Sequence, residues 1–238
     1  MTESFYFRQL LAGRDFAVGD EVALAMRNFT YAIGDRQSGE VILVDPAYRP
    51  AELLAVMAEA SLNVVGVVAT HYHPDHVGGE LGQQVHIDGV AELREIMEVP
   101  IHVQRAEVEW IARSTKLSAS AFMAHEDRDV LTVGDLAVTL LHTPGHTPGS
   151  QCLLVEGRLL SGDTLFIDGC GRTDFPGGDA REMYVSLHER LSVIEDDTEL
   201  FPGHLYSPEA SLLMGEVRAR NFVLERKSPE QWLAMFGS

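Results

Sequence analysis

The stretch Asn63-Val-Val-Gly-Val-Val-Ala-Thr70, followed directly by His71-Tyr-His-Pro-Asp-His76, decides how the chain is read. Its first half is an apolar, β-branched run, the pattern of a buried strand. Its second half puts three histidines and an aspartate within six residues. On a helix these side chains would point around most of the circumference. A loop that contains Pro74 and leads into Gly78-Gly79 can instead fold them toward one point. The carboxyl end of a strand is also where α/β sheets usually carry their sites. A single histidine is more readily a satisfied core or surface residue, but imidazoles and a carboxylate at this density suit zinc or iron.

Upstream of this stretch, Ala51–Ala60 is rich in good helix formers with Leu53, Leu54 and Met57 on one face, and Glu40–Asp45 (EVILVD) reads as a strand. Strand, helix, strand in that order predicts two parallel neighbours joined by a right-handed crossover. Val22–Met26 is expected as a further strand, on the other side of the Gly34–Gly39 turn region. Downstream, residues 83–128 read mostly as helix, over Val90–Met97 and Arg105–Ser114 with Pro100 between them, and are expected to form a helical insertion beside the site. Its apolar residues Trp110, Ile111, Leu117, Phe122 and Met123 are equally consistent with lining a pocket and with ordinary helix packing. Strands return at Leu131–Leu141, Gln151–Val155 and Arg158–Ser161, the last two joined at Glu156-Gly157, and helices at Ala180–Leu191 and Pro208–Arg220. This alternation predicts an α/β protein. With no linker or low-complexity tract, 1–238 is expected to be a single domain in which 207–238 forms a short C-terminal helical extension. A faint echo relates Val18-Gly-Asp and Asp45 to Val133-Gly-Asp and Asp163.

Three further donors follow strand-like runs: His146 in Thr143-Pro-Gly-His-Thr-Pro-Gly149, Asp163 in Ser161-Gly-Asp-Thr164, and His204 in Phe201-Pro-Gly-His204. Each alone is consistent with a cap or a turn. Together with the first cluster they predict a metal-binding enzyme site. His86, His102, His125, His142 and His188 match no such position.

THYHPDH, TPGHTPGS, SGDTLF and FPGH, in this order, resemble the metallo-β-lactamase superfamily, and the resemblance covers roughly Phe29 to Tyr206. It implies a four-layer αββα sandwich. Carried over by motif, it implies that His71, His73 and His146 bind one metal ion and Asp75, His76 and His204 a second, with Asp163 bridging. Two divalent ions, zinc foremost with iron as the alternative, would hold a hydroxide as nucleophile. Asp75 and Asp163 are then the catalytic carboxylates, and Asp45, ending the EVILVD run, matches an early aspartate that orients the metal loop.

Gly169-Cys-Gly-Arg-Thr-Asp-Phe175 is similar to the glyoxalase II and persulfide dioxygenase branches of that family, which act on sulfur-linked substrates. The resemblance implies a small-molecule substrate such as a glutathione or other thiol conjugate, held by Arg172 and Tyr206. The expected activity is hydrolysis of a thioester or related ester by the metal-bound hydroxide, as in glyoxalase II. The alternative is a mononuclear iron persulfide dioxygenase using His71, His146 and Asp163. A lactonase and a non-catalytic metal-binding protein rank lower. Arg172 and Asp174 stand where glyoxalase II has a lysine and a tyrosine, and its basic glutathione-binding terminal pattern is not recognisable in 221–238.

Composition sets the outer bounds. The chain has 238 residues, 45% hydrophobic and 23% charged, as globular proteins do. A net charge of −18 repels phosphate backbones and anionic lipid, which disfavours nucleic acid and membrane surfaces as partners. No apolar run approaches the roughly 20 residues that cross a bilayer, and no signal peptide is evident. Two cysteines fit a reducing compartment, so a cytoplasmic location is expected. The oligomeric state is left open, a homo-oligomer included.

Overall fold

The computed structural model describes residues 4–225 and 227–236. Its strands are β1 (Phe5–Leu11), β2 (Phe29–Asp35), β3 (Glu40–Val44), β4 (Asn63–Val68), β5 (Gly79–Leu81), β6 (Val85–Ile87), β7 (Ile101–Gln104), β8 (Phe122–His125), β9 (Val130–Val133), β10 (Leu136–His142), β11 (Gln151–Val155), β12 (Arg158–Gly162), β13 (Glu199–Pro202) and β14 (Leu212–Leu213). The α-helices are α1 (Glu21–Met26), α2 (Pro50–Glu59), α3 (Pro74–Val77), α4 (Val90–Ile96), α5 (Val108–Thr115), α6 (Ala180–Val185), α7 (Met214–Arg220) and α8 (Pro229–Phe236).

The crossover around the histidine loop forms as expected: β3 and β4 are parallel, with Ile42 opposite Gly66 and Val44 opposite Val68. Their side chains alternate between two cores. Ile42, Val44 and Val68 face one apolar cluster, while Val41, Leu43 and Val67 face another. Both faces are therefore covered, which explains why these strands are apolar throughout. The first sheet has the order β1-β2-β3-β4-β7-β8 and the second β14-β13-β12-β11-β10-β9. Between them lie Ile33, Ile42, Val68, Leu140, Leu153 and Leu160. Helices α2, α4 and α5 cover the outer face of the first sheet, and α6, α7 and α8 that of the second. The result is a four-layer αββα sandwich. The faint echo acquires a structural counterpart, because β12 and β13 repeat the parallel pairing of β3 and β4.

Several local expectations are corrected. Val22–Met26 is helical: Asp20 caps α1 by accepting from the Val22 and Ala23 amides, and Arg27 ends it in the left-handed conformation. The strand that pairs with β3 is instead β2. Residues 83–128 are not mostly helix. Ile101, His102, Val103 and Gln104, directly after Pro100, form β7, fully buried and parallel to β4, and β8 extends the same sheet. Tertiary pairing with an existing sheet edge there outweighs local helix propensity. Leu131–Leu141 is two strands folded at Gly134, and the run from Pro208 begins with β14 on the second sheet before α7 starts. No described helix is long and apolar enough to cross a membrane.

Trp232, on α8, is fully buried and its indole N–H donates to the Val223 carbonyl at 3.3 Å. It fixes the C-terminal helix against the outer face of the second sheet. Trp232→Ala should lower the unfolding free energy by about 3–5 kcal/mol in urea titrations, the usual loss for a buried aromatic. A loss below about 1 kcal/mol would show that α8 is not part of the cooperative unit.

Candidate metal centre

Each candidate ligand follows a strand: Asp45 after β3, the His71–His76 loop after β4, His146 after β10, Asp163 after β12 and His204 after β13. All of these strand ends meet at one rim of the sandwich. Pro74 at the first position of α3 gives the loop a single helical turn, which turns Asp75 and His76 inward to be buried. Gly162 adopts a left-handed φ of 48°, and a Cβ there would lie 2.6 Å from the Thr70 hydroxyl. Gly171 lets the 169–175 loop close over the centre, since a Cβ would lie 2.1 Å from the Asp163 carbonyl and 2.8 Å from His146 Nδ1. These glycines serve close backbone approach.

The structure brings all seven predicted donors together. His71, His73 and His146 form one group with ligand atoms within 4.8 Å of one another, and Asp75, His76 and His204 form another. Asp163 lies between them, 3.6 Å from His146 Nε2, 3.4 Å from His76 Nε2 and 3.3 Å from His204 Nε2. His204 Nε2 is also 3.4 Å from Asp75 Oδ2 and 3.2 Å from His76 Nε2. With metal–nitrogen bonds of about 2.0–2.1 Å, the edge of a tetrahedron is about 3.4 Å, so these separations suit ligands around a shared cation.

Partners on the far side of each ring set its tautomer. His146 Nδ1–H donates to the Arg172 carbonyl at 2.6 Å and His204 Nδ1–H to the Met26 carbonyl at 2.8 Å. His76 Nδ1–H donates to Asp45 Oδ2 at 2.9 Å. Each leaves its Nε2 facing the centre, where a bound cation would replace any proton it carries. Asp45, at a left-handed φ of 53°, also accepts from the Thr70 amide at 2.7 Å and the Thr70 hydroxyl at 2.6 Å. It therefore ties the end of β3 to both ends of the histidine loop.

The electrostatics point the same way. Burial, reinforced by neighbouring imidazoles, holds His71 well below the usual histidine range and brings His73 to about 4. Burial also lowers His146. Burial disfavours the His76 cation as well, but Asp163, Asp75 and Asp45 outweigh it and push that ring up to about 10. Burial opposes ionisation of Asp163, yet His204 and His76 hold its carboxyl well below the ordinary value. His71 Nε2 and Asp163 Oδ1 are buried without hydrogen-bond partners, which leaves two lone pairs aimed into the centre. Buried acceptors in this state require a cation or a proton. A divalent ion fits the donor set.

Sequence reasoning missed three residues. Asn28 donates to Asp75 Oδ2 at 3.0 Å and accepts from the Tyr48 hydroxyl at 2.7 Å. Glu107, fully buried just before α5, accepts from the Tyr72 amide at 2.7 Å and the Gly149 amide at 2.6 Å. It thus joins the His71–His76 loop to the His146 loop.

A cavity of about 1000 Å³ opens from the centre. Arg172 and Tyr206 both line it. The Arg172 guanidinium is held by Asp174 at 2.9 and 2.5 Å and lies 4.4 Å over the Phe175 ring. Tyr206 stacks on His204 at 4.5 Å. Of the five apolar residues singled out in 83–128, Trp110 alone lines the cavity, stacked on Tyr72 at 5.3 Å. Ile111, Leu117 and Phe122 pack into the core beneath the first sheet, and Met123 is exposed. Cys170 also lines the cavity, but burial pushes its thiol up to about 12, away from the thiolate a nucleophile needs.

Burial pushes Glu107 up to about 7 from an ordinary 4.5, against the hydrogen bonds it accepts. The folded chain then holds this proton more tightly than the unfolded one, so the contribution to stability falls as pH rises from 4.5 to about 7 and is level above. Glu107→Gln sets an NH2 against one of the two backbone donors, at a cost of about 1–3 kcal/mol. In metal-free protein the stability gap between wild type and variant should narrow as pH rises from 5 to 8. A gap constant across that range would show that Glu107 is ionised throughout.

Residues 26–204 match the family described as the metallo-beta-lactamase superfamily. The chain is 34% identical over 181 residues to persulfide dioxygenase ETHE1, mitochondrial, of Homo sapiens, covering 75% of this chain and 64% of that protein. It is 28% identical over 203 residues to the probable polyketide biosynthesis zinc-dependent hydrolase BaeB of Bacillus velezensis, covering 84% of each. The crystal structure of ETHE1 from Myxococcus xanthus superposes with a TM-score of 0.79 at 28% identity, covering 98% of this chain and 90% of that one. The two sheets and the outer helices are thus those of a known architecture, and the chain belongs to the metallo-β-lactamase superfamily.

Proposed function

We propose that this protein is a binuclear metallohydrolase that cleaves a thioester or related ester, the C–S or C–O bond breaking as water adds to the acyl carbon. The observation that carries this reading is the presence of two complete donor groups on either side of one buried carboxylate, Asp163. Two divalent ions, zinc first, would lower the pKa of a bound water and polarise the substrate carbonyl. His71, His73 and His146 would hold one ion, Asp75, His76 and His204 the other, with Asp163 shared. Asp75 and Asp163 are the carboxylates that face the reacting atoms. Asp45 and the Met26 and Arg172 carbonyls orient the rings, and Asn28 steadies Asp75. Tyr206 and Arg172 border the substrate, a small thiol conjugate such as one of glutathione.

A second reading, a mononuclear iron persulfide dioxygenase using His71, His146 and Asp163, is favoured by the similarity to persulfide dioxygenase ETHE1 of Homo sapiens and to the ETHE1 structure from Myxococcus xanthus. Native metal content with paired assays separates the two. The hydrolase should carry about two metal ions per chain and cleave thioester without oxygen. One iron per chain, with oxygen consumed on glutathione persulfide and no thioester cleavage, would establish the dioxygenase.

Asp163→Asn removes the shared anion and should abolish binding of at least one ion and reduce turnover at least about 100-fold. Normal metal content with normal turnover would exclude its bridging role. Asp45→Asn should keep the ligands but weaken metal affinity about 10–100-fold, as loss of the carboxylate behind a metal-binding imidazole does. Equilibrium metal competition measures this directly, and unchanged affinity would reduce Asp45 to a loop-folding residue.

A further inference from the structure

Outside the histidine–carboxylate centre, four charged side chains line the cavity: Glu80, Arg113, Asp168 and Arg172. Three are matched within the protein. Glu80 meets Lys116 at 3.2 Å and His86 at 3.4 Å, Asp168 meets Arg220 at 3.2 Å, and Arg172 is held by Asp174. Arg113 is different. Among the described residues no carboxylate or hydrogen-bond acceptor meets its guanidinium, which instead lies 5.1 Å over the ring of Trp110. In a chain with 36 acidic residues and only 18 basic ones, an arginine without an acidic partner keeps a positive charge available at the wall of the cavity.

The wall beneath it leads to the centre. Trp110 stacks on Tyr72, and the Tyr72 ring meets His73 at 4.6 Å. The Tyr72 hydroxyl donates to the Pro176 carbonyl at 2.8 Å, which fixes that ring against the opposite loop. An apolar, aromatic surface thus runs from the metal ligands to an uncompensated cation. The guanidinium fork matches a carboxylate in geometry and charge, and stacking on Trp110 orients it beforehand.

We propose that Arg113 forms the anion-binding end of the cavity. It takes a carboxylate at the end of the substrate remote from the reacting sulfur, and the segment between lies along Trp110 and Tyr72. This rests on the reading of the cavity as the site of a thioester or thiol conjugate. It moves the role of carboxylate clamp from Arg172, which Asp174 already holds, to α5. Against the field of a chain at −18, such a cation also offsets the repulsion an anionic substrate meets on entry.

The test uses the metal-loaded full chain and equilibrium binding by calorimetry, so it does not depend on turnover. The probes are S-hexylglutathione and its diethyl ester, which lacks the carboxylate charges. Wild type should prefer the diacid. Arg113→Gln should weaken the diacid at least about tenfold and leave the diester unchanged, as loss of one charge-assisted contact predicts. Arg113→Lys should fall between, keeping charge without the fork. Arg172→Gln should retain the preference. Equal affinity of wild type for both probes, equal loss of both in Arg113→Gln, or loss of the preference in Arg172→Gln alone would overturn the assignment. Failure of thioester cleavage with the diacid preference intact would overturn the reaction and leave Arg113 in place.

Discussion

Two carboxylates and four imidazoles are buried at the point where the two sheets meet, and among the described residues no lysine or arginine forms an ion pair with those carboxylates. This constraint governs the surroundings. Desolvated acceptors must be neutralised or oriented, and every element near the rim contributes to that end. Asp45 accepts an outer ring N–H of the cluster, and the backbone carbonyls of Met26 and Arg172 accept two more, so three separate parts of the chain fix which lone pairs face inward. The glycines that let the 161–171 region approach so closely serve the same packing requirement.

The first sheet supplies the dense loop and the second supplies His146, Asp163 and His204, one each from three strand ends. The inter-sheet core fixes the spacing between those two contributions. Glu107 and Tyr72 then bind the loops laterally, the first through backbone amides on both sides and the second through a hydroxyl reaching Pro176. None of these contacts is local in sequence.

That distinction explains what the sequence discloses. Donor residues were legible because their chemistry is unusual and their clustering is local: His71 to His76 announce themselves within six residues, and proline–glycine turns surround His146 and His204. The β3–α2–β4 unit was legible because both strands are apolar on two faces. Asn28, Tyr48 and Glu107 were not, since each is an ordinary residue type whose partner lies 20 to 47 positions away. The segment 83–128 misled for a related reason: the four residues of β7 carry little periodicity, and pairing with β4 on one side and β8 on the other makes them a strand. Val22–Met26 misled in the opposite sense, because a single capping aspartate turned an apolar run into a helix.

The wall formed by Tyr72, Trp110 and Phe175 lines the cavity from segments outside the strands of the two sheets. The frame and the lining are thereby separable in evolution. Substitutions at Trp110 or Arg113 can reshape what enters without touching a donor, whereas a change at Asp45 reaches His76 directly and the start of the histidine loop through Thr70. A scaffold divided in this way can diversify its substrates through drift in a few exposed positions while its inner residues stay fixed.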